Sequence, residues 1–126
     1  MPALEPLAGR RVVASAAALD RATWSGSDVV VLRLAPDEAF GIGATAVELD
    51  DADAIDETEH GFVGARLSAV DLAEVLAHIE WVLPTELGAL AQGKVAGVPA
   101  KLLIGAPTLL VTNAAYADEL RERLGW

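Results

Sequence analysis

Cysteine is absent from this chain of 126 residues, and basic residues are few. Without cysteine there is no disulfide, no thiolate metal site and no cysteine nucleophile, and this absence is compatible with a cytoplasmic protein. Nine basic residues, only two of them lysine, stand against nineteen acidic residues, so the net charge is −10. Nucleic acids and anionic membrane surfaces bind through basic side chains, and both are therefore disfavoured as partners.

Long apolar runs are missing as well. No stretch reaches the roughly 20 residues that a membrane helix needs, and no basic segment leads into an apolar core at the N-terminus. We therefore expect a soluble, cytoplasmic protein. The length fits a single domain, 1–126, and a hydrophobic fraction of 53% with a mean hydropathy of +0.39 is enough to form one core.

Strand and helix patterns mix along the chain without strict alternation. Turns are predicted at Ser25–Asp28 and at Pro36-Asp37, the second closing a hairpin, and breaks are predicted at Pro99 and at Gly105–Pro107. This order predicts an α+β fold, an antiparallel sheet with helices packed on one face. The strand patterns before the first helix are residues 10–18, 29–34, 40–43, 45–49 and 61–67.

Two helices carry start signals. In "SAVDLAEVLAHIEW", Ser68 is a good N-cap and Asp71 completes a capping box. Asn113 is the N-cap of a final helix, in which Glu119 and Arg123 are spaced to pair. The apolar stripe expected on that helix is Tyr116, Leu120 and Leu124.

An acidic run, "DDADAIDETEH", holds six acids and a histidine from Asp50 to His60. A calcium loop starting at Asp51 would need oxygen ligands at Ile55 and Phe62, and a start at Asp53 fails in the same way. The spacing therefore favours an exposed acidic connection that leads into a strand. The half-match "GIGATA" to a dinucleotide fingerprint is followed by acids rather than by a helix, which favours a tightly packed strand.

No catalytic or metal-binding constellation stands out. One histidine in the acidic run, His60, with flexible carboxylates falls short of the three converging ligands of a zinc site. The other histidine, His78, lies within the first helix pattern. The residues that could still contact a partner are three tryptophans near element ends, where core packing is the alternative reading. They are Trp24, Trp81 and Trp126, and we expect the last to be the most exposed.

Three segments resemble a known family. "VVVLRLAPDEAFGIG" is similar to the hairpin of the sarcosine oxidase gamma subunit, and "AIDETEHGFVGARLSAVDLAEVLAHIEWVLP" is similar to its following strand, helix and proline-ended loop. "AQGKVAGVPAKLLIGAPTLLVTNAAYADELRERL" is similar to the closing unit that this family shares with the N-terminal domain of aminomethyltransferase, the glycine-cleavage T-protein. The likeness covers roughly residues 28 to 125.

The resemblance implies ferredoxin-like units and kinship with folate-dependent one-carbon enzymes. It places Asp56 at the family's aspartate, where a structural hydrogen bond is expected. The T-protein's folate chemistry uses an acid on the segment that corresponds to "GKVAGVPAKLLI", but no acid occurs here between Gln92 and Asn113. The gamma subunit is thought to carry no cofactor, and we therefore expect none in this chain.

Three functions remain open from the sequence. The first is a non-catalytic accessory subunit or interaction domain in amine or one-carbon metabolism, bound to larger oxidase subunits or to a second copy. The second is a folate-like binding protein taking a tetrahydrofolate derivative, and the third is a free-standing enzyme using Asp56, Glu59 or His60. The candidate ligand contacts are Asp56, His60, Arg66, Lys94 and Lys101.

Overall fold

The computed structural model, which describes residues 2–126, has an α+β fold with a seven-stranded antiparallel sheet and short helices. The strands are β1 (Glu5–Val13), β2 (Thr23–Ala35), β3 (Glu38–Glu48), β4 (Ile55–Leu67), β5 (Leu90–Val95), β6 (Val98–Leu103) and β7 (Thr108–Asn113). The helices are α1 (Ala16–Asp20), α2 (Ala69–Leu76) and α3 (Ala117–Leu124), with a 3₁₀ turn at Ala114–Tyr116. Strand order is β2-β3-β1-β4-β7-β6-β5. Among the residues described, no helix is long and apolar enough to cross a membrane.

The chain divides into two compact units. The N-terminal unit is Leu7–His60, and the C-terminal unit is Gly61–Trp126 together with the residues up to Pro6. The strands and helices given above confirm the predicted α+β class.

The hairpin of the N-terminal unit is confirmed, but the turn predicted at Ser25–Asp28 is wrong. Gly26 lies opposite Ala44 and Val30 opposite Ile42, so three residues of β2 face one residue of β3. The polar, glycine-containing segment is thus accommodated as a bulge inside one long strand, because a bulge absorbs extra residues without ending the pairing.

The first strand ends earlier than predicted. β1 stops at Val13, and Ser15 starts α1 because its hydroxyl accepts a hydrogen bond from the Ala18 N–H at 3.2 Å. The Asp51 carboxylate in turn accepts from the backbone N–H groups of Ser15, at 2.8 Å, and Asp53, at 2.9 Å. These two bonds, the Ser15 bond foremost, lower the pKa of Asp51. The core of this unit is Val12, Ala14, Ala18, Leu19 and Ala39.

The capping box of α2 is confirmed. The Ser68 hydroxyl accepts from the Asp71 N–H, and the Asp71 carboxylate accepts from the Ser68 N–H, each at 3.2 Å. Apolar side chains of α2 and α3, including Val75 and Leu120, pack into the core cluster of the C-terminal unit. The largest fully buried members of this cluster are Leu67, Leu102, Leu110, Leu120, Val75, Val95 and Val98.

The helix predicted to reach Trp81 ends at Leu76. The following residues, 77–89, form an irregular connection to β5 that we call the strap. Ile79, Trp81 and Leu83, spaced by two, all pack against the core cluster. A spacing of two suits extended backbone, whereas a helix would turn these side chains to different faces, so core packing ends the helix.

The final helix differs from the prediction at its start. Asn113 caps the 3₁₀ turn through a hydrogen bond from the Ala115 N–H at 2.9 Å, and α3 begins only at Ala117. Tyr116 is 40% exposed and Ala117 is buried, so the packed stripe starts at Ala117 rather than at Tyr116. The ion pair between Glu119 and Arg123 is confirmed.

Pro99 does not break a strand. The break lies at Ala96-Gly97, a two-residue turn with φ of +50° and +79° between β5 and β6. In such a hairpin Val95 and Val98 form the hydrogen-bonded pair, which leaves Pro99 in the next, non-hydrogen-bonded pair with Lys94. The missing proline N–H is therefore not needed by β5.

Candidate functional site

A pocket of about 490 Å³ lies in the C-terminal unit beside the strap and the turn between β5 and β6. This volume is in the range of roughly 300–1,000 Å³ that small-molecule sites occupy. We call it the strap pocket. Its lining residues are His78, Glu80, Trp81, Lys94, Ala96 and Gly97.

Two hydrogen bonds tie the strap to β5 and its turn at this pocket. The Trp81 indole N–H donates to the Lys94 carbonyl at 2.9 Å, and the Ala96 N–H donates to the His78 carbonyl at 2.9 Å. The Trp81 ring also lies against Gly93, where an added Cβ would stand 2.7 Å from ring atoms Cε2 and Nε1. The indole wall of the pocket is therefore fixed by both packing and hydrogen bonding.

The turn at the pocket is held from α3. The Arg123 guanidinium donates to the Ala96 carbonyl at 2.7 Å and pairs with Glu119. Gly97 has a φ of +79°, which favours glycine, and a Cβ there would stand 2.6 Å from Arg123 Nη1, so the guanidinium would have to shift. Arg123 thus brings a positive charge against a residue that lines the pocket.

Three ionisable side chains line the strap pocket without an internal partner. Within residues 2–126, no ion pair or side-chain hydrogen bond engages His78, Glu80 or Lys94. All three are exposed to solvent. Three residues that line the pocket therefore carry ionisable groups with no partner inside the described chain.

The three cations predicted as ligand contacts, Arg66, Lys94 and Lys101, lie on one face of the sheet formed by β4, β7, β6 and β5. Lys101 lies opposite Gln92 on one side and Val111 on the other, and Val111 lies opposite Gly64. Because residues two apart on a strand point to the same side, Lys94 and Arg66 join this face. Strand geometry places the Lys101 Cα about 8 Å from that of Lys94 and about 12 Å from that of Arg66.

These cations do not surround a common pocket. The Lys101 ammonium lies 5.8 Å from the Phe62 ring centroid, a cation–π contact, and Lys101 is half-buried. Arg66 is exposed and lines none of the pockets described here. Of the three, only Lys94 lines the strap pocket.

The two remaining predicted contacts, Asp56 and His60, lie on β4 in the N-terminal unit. Asp56 accepts a hydrogen bond from Arg10 Nε at 2.6 Å, so the structural hydrogen bond expected of it is present. His60 is exposed and lines a shallow groove of about 400 Å³ with Arg10 and Thr58. The groove's other residues are Ala8, Gly9, Gly43, Ala44 and Thr45, and the Thr45 hydroxyl donates a hydrogen bond to the Ser25 carbonyl at 3.2 Å.

An ion-pair cluster occupies the same unit. Arg11 donates two hydrogen bonds to Glu38, at 2.9 and 3.0 Å, and one to Glu59 at 3.3 Å. The bonds to Glu38, followed by Glu59, raise the pKa of Arg11. Glu59 also accepts from the His60 backbone N–H at 3.0 Å. Glu59 therefore has a structural role in pairing β4 with Arg11.

All three tryptophans are half-buried against core clusters. Trp24 packs in the N-terminal unit over Gly41, whose added Cβ would stand 2.5 Å from its ring. Gly41 belongs to "GIGATA", which lies wholly within β3, as expected of a tightly packed strand. Trp81 and Trp126 pack against the core cluster of the C-terminal unit.

Of the six residues that line the strap pocket, only Lys94 was a predicted ligand contact. His78, Glu80, Ala96 and Gly97 were not predicted, and Trp81 was predicted at an interface. The predicted helix extended to Trp81, so His78, Glu80 and Trp81 were not expected to lie in an irregular segment. No local signal identifies them, because Ile79, Trp81, Val82 and Leu83 are all apolar and do not alternate strictly with polar residues.

Within residues 2–126, no group of three or more histidine, aspartate or glutamate side chains is placed to hold a metal ion. No family model matches the sequence, no curated protein matches it, and no solved structure matches the fold.

Proposed function

We propose that this chain is a non-catalytic interaction domain that docks as an accessory subunit on a larger protein of amine or one-carbon metabolism. The observation that carries the proposal is the strap, which holds Val82 with 93% of its surface exposed and Leu87 with 81% exposed. The resemblance to the sarcosine oxidase gamma subunit, with its ferredoxin-like units, supplies the metabolic context.

The strap is suited to hold these side chains outward. Trp81 anchors it through the bond to the Lys94 carbonyl, and neighbouring Leu83 packs on the core, so Val82 between them faces solvent. Burying a valine or leucine side chain completely stabilises a complex by about 1.5–3 kcal/mol. An apolar pair on an anchored segment can thus contribute to docking without a large ordering cost.

A different protein, rather than a second copy, is the proposed partner. A net charge of −10 on a chain of 13.1 kDa makes self-association bring like charges together. The exposed acids of the N-terminal unit, among them Asp50, Asp53 and Glu57, add to that repulsion. A partner with a basic rim around an apolar patch would be attracted by the same charge.

The absence of acids from 92 to 113 also favours docking over folate chemistry. The resemblance places the T-protein's functional acid on this segment, and general acid–base help to a folate amine needs a carboxylate there. Tetrahydrofolate binding, the alternative, is favoured by no grouping of Arg66, Lys94 and Lys101 around one cavity.

Co-purification from the native host tests the proposal. Tagged wild-type chain should retain an amine oxidase or one-carbon enzyme, the double variant Val82→Ser with Leu87→Ser should lose it, and Val70→Ser should keep it. Val70 is the matched control because it is a 70% exposed valine on α2, outside the strap.

Sedimentation of the purified chain separates the other outcomes. A chain that stays monomeric and retains no partner contradicts the proposal, and so does a partner that both the double variant and Val70→Ser retain. If the chain is a dimer that the Val82→Ser substitution dissociates, the partner that docks on the strap is a second copy of the chain rather than a larger protein.

A further inference from the structure

Strand β2 forms one edge of the seven-stranded sheet. It is 13 residues long, and in the sheet order of residues 2–126 it has β3 beside it and no strand on its other side. Between the register shifts that follow Gly26 and Arg33, the pairing is regular, with Val30 opposite Ile42 and Arg33 opposite Ala39. In a regular antiparallel pair, every second residue directs its N–H and C=O away from the partner strand. Two of the four residues 30–33 therefore present these groups at the outer edge.

This edge is not covered by the rest of the described chain. Within residues 2–126, no hydrogen bond outside the strand ladder engages the backbone of residues 30–33. The Val31 side chain is 39% exposed, and Val29 and Val30 are half-buried. β2 also contains neither lysine nor proline, two residues that commonly protect an edge strand from pairing. The register shifts on either side confine further pairing to this short apolar stretch.

The opposite edge of the sheet, β5, is covered by the strap. β5 has six residues, and its Lys94 carbonyl accepts the Trp81 indole N–H at 2.9 Å. At the end of β5, the Ala96 N–H donates to the His78 carbonyl at 2.9 Å. The strap thus takes backbone groups that an additional strand would need, whereas β2 keeps its own available.

The charges beside β2 favour a basic partner. Arg33, the only base within the strand, donates to the Asp20 carboxylate at 2.7 Å and to the Ala16 carbonyl at 3.1 Å, so its charge is already balanced. On β2 and next to its ends, the exposed charged residues outside this pair are one base and three acids: Arg21, Asp28, Asp37 and Glu48. An extended segment that carries lysine or arginine complements this balance, whereas a second copy would bring like charges together.

We propose that the outer edge of β2 takes an extended segment of another protein as an added strand, with apolar residues against Val31 and lysine or arginine at the segment's ends. In this mode of recognition, main-chain hydrogen bonds provide affinity and side chains provide specificity. The site lies in the N-terminal unit, whereas Val82 and Leu87 lie in the C-terminal unit. It therefore goes beyond docking through the strap, and either proposal can fail without the other.

Hydrogen exchange of the backbone amides, followed by two-dimensional NMR, tests the edge in the chain alone. Two of the four amides of residues 30–33 should exchange rapidly, and the two that alternate with them should exchange slowly. Addition of the peptide acetyl-Lys-Val-Thr-Val-Thr-Val-Lys-amide at low-millimolar concentration should slow the rapid pair and leave the slow pair unchanged.

Two control peptides separate backbone pairing from charge attraction. N-methylation of every residue between the two lysines keeps the side chains and the charge but removes the N–H donors, so it should abolish binding. Replacement of both lysines by glutamate should weaken binding at least about threefold at low salt.

Matched variants then locate the contact on the chain. Val31→Ser should weaken binding about threefold through the loss of a cross-strand contact, and Val70→Ser should leave it unchanged. Asp28→Asn should weaken binding about twofold, and asparagine tolerates the φ of +50° at this position. Glu86→Gln, which removes the same charge from the strap, should leave the affinity unchanged.

Several results would overturn the proposal. In exchange, they are protection of all four amides in the chain alone, or no slowing by the lysine peptide. In binding, they are equal affinity of the N-methylated peptide, tighter binding of the glutamate peptide, or equal effects within either pair of variants. Signals of residues 30–33 that shift with chain concentration in the absence of peptide would make a second copy the occupant instead. Signal dispersion in each variant's spectrum verifies that the chain remains folded.

Discussion

Gly93 is the position at which a single methyl group should displace the Trp81 anchor. An alanine Cβ there would stand 2.7 Å from Trp81 Cε2 and Nε1 and 3.0 Å from Cζ2, well inside van der Waals contact. The ring must therefore move, and its hydrogen bond to the Lys94 carbonyl, now 2.9 Å, lengthens or breaks.

The cost can be estimated from three contributions. Overpacking costs about 1–3 kcal/mol, and the lost hydrogen bond adds about 0.5–1.5 kcal/mol. Alanine lowers the conformational entropy of the unfolded chain, which offsets about 0.4–1 kcal/mol of this destabilisation. We expect Gly93→Ala to lower the free energy of unfolding by about 2 kcal/mol, measured by urea denaturation followed by far-ultraviolet circular dichroism.

A double-mutant cycle assigns the cost to the indole. In a Trp81→Ala background the methyl group has no ring to meet, so Gly93→Ala should there be neutral or slightly stabilising. The coupling free energy between the two sites should then be about 2 kcal/mol. If Gly93→Ala is equally costly with and without the indole, the contact with Trp81 is not what requires glycine, and the argument for a fixed pocket wall fails.

Three further predictions concern single contacts. Ser68→Ala should lower the free energy of unfolding by about 1 kcal/mol through loss of the α2 cap; an unchanged urea midpoint would contradict this. The lowered pKa of Asp51 gives stability that is present above its unfolded pKa, about 4, and is lost as pH falls through the folded pKa, so Asp51→Asn should flatten the acid limb of a stability–pH profile. An identical limb would refute that linkage. Gly9→Ala should cost at least about 3 kcal/mol, because its Cβ would stand 1.9 Å from the Gly41 carbonyl oxygen; folding at wild-type stability would contradict it.

Predictions were correct where residues close together in sequence determine the local structure. The capping box of Ser68 with Asp71 and the pair of Glu119 with Arg123 depend on helical spacing alone, and both are present. The acidic run likewise leads from an exposed connection into β4 at Ile55. In the capping box and the ion pair, the two partners lie within four residues of each other.

Predictions were wrong where packing between residues distant in sequence competes with a local pattern. The apolar positions from Val70 to Trp81 fit a helix, yet the core cluster takes Ile79 and Trp81 from an extended strap and ends α2 at Leu76. Similarly, Ser25–Asp28 has turn composition, but pairing with β3 continues past it, and the extra residues become a bulge.

The sequence by itself determined the α+β class, the capped start of α2 and the acidic connection before β4, since composition, capping and strand alternation act over a few residues. Only the tertiary structure decided how the strap packs beside β5 and its turn. The Trp81 indole N–H donates to the Lys94 carbonyl thirteen residues away, because Gly93 leaves room for the ring. The Ala96 N–H donates to the His78 carbonyl eighteen residues away. Contacts of that separation depend on how the strap packs on the core, and no local pattern specifies it.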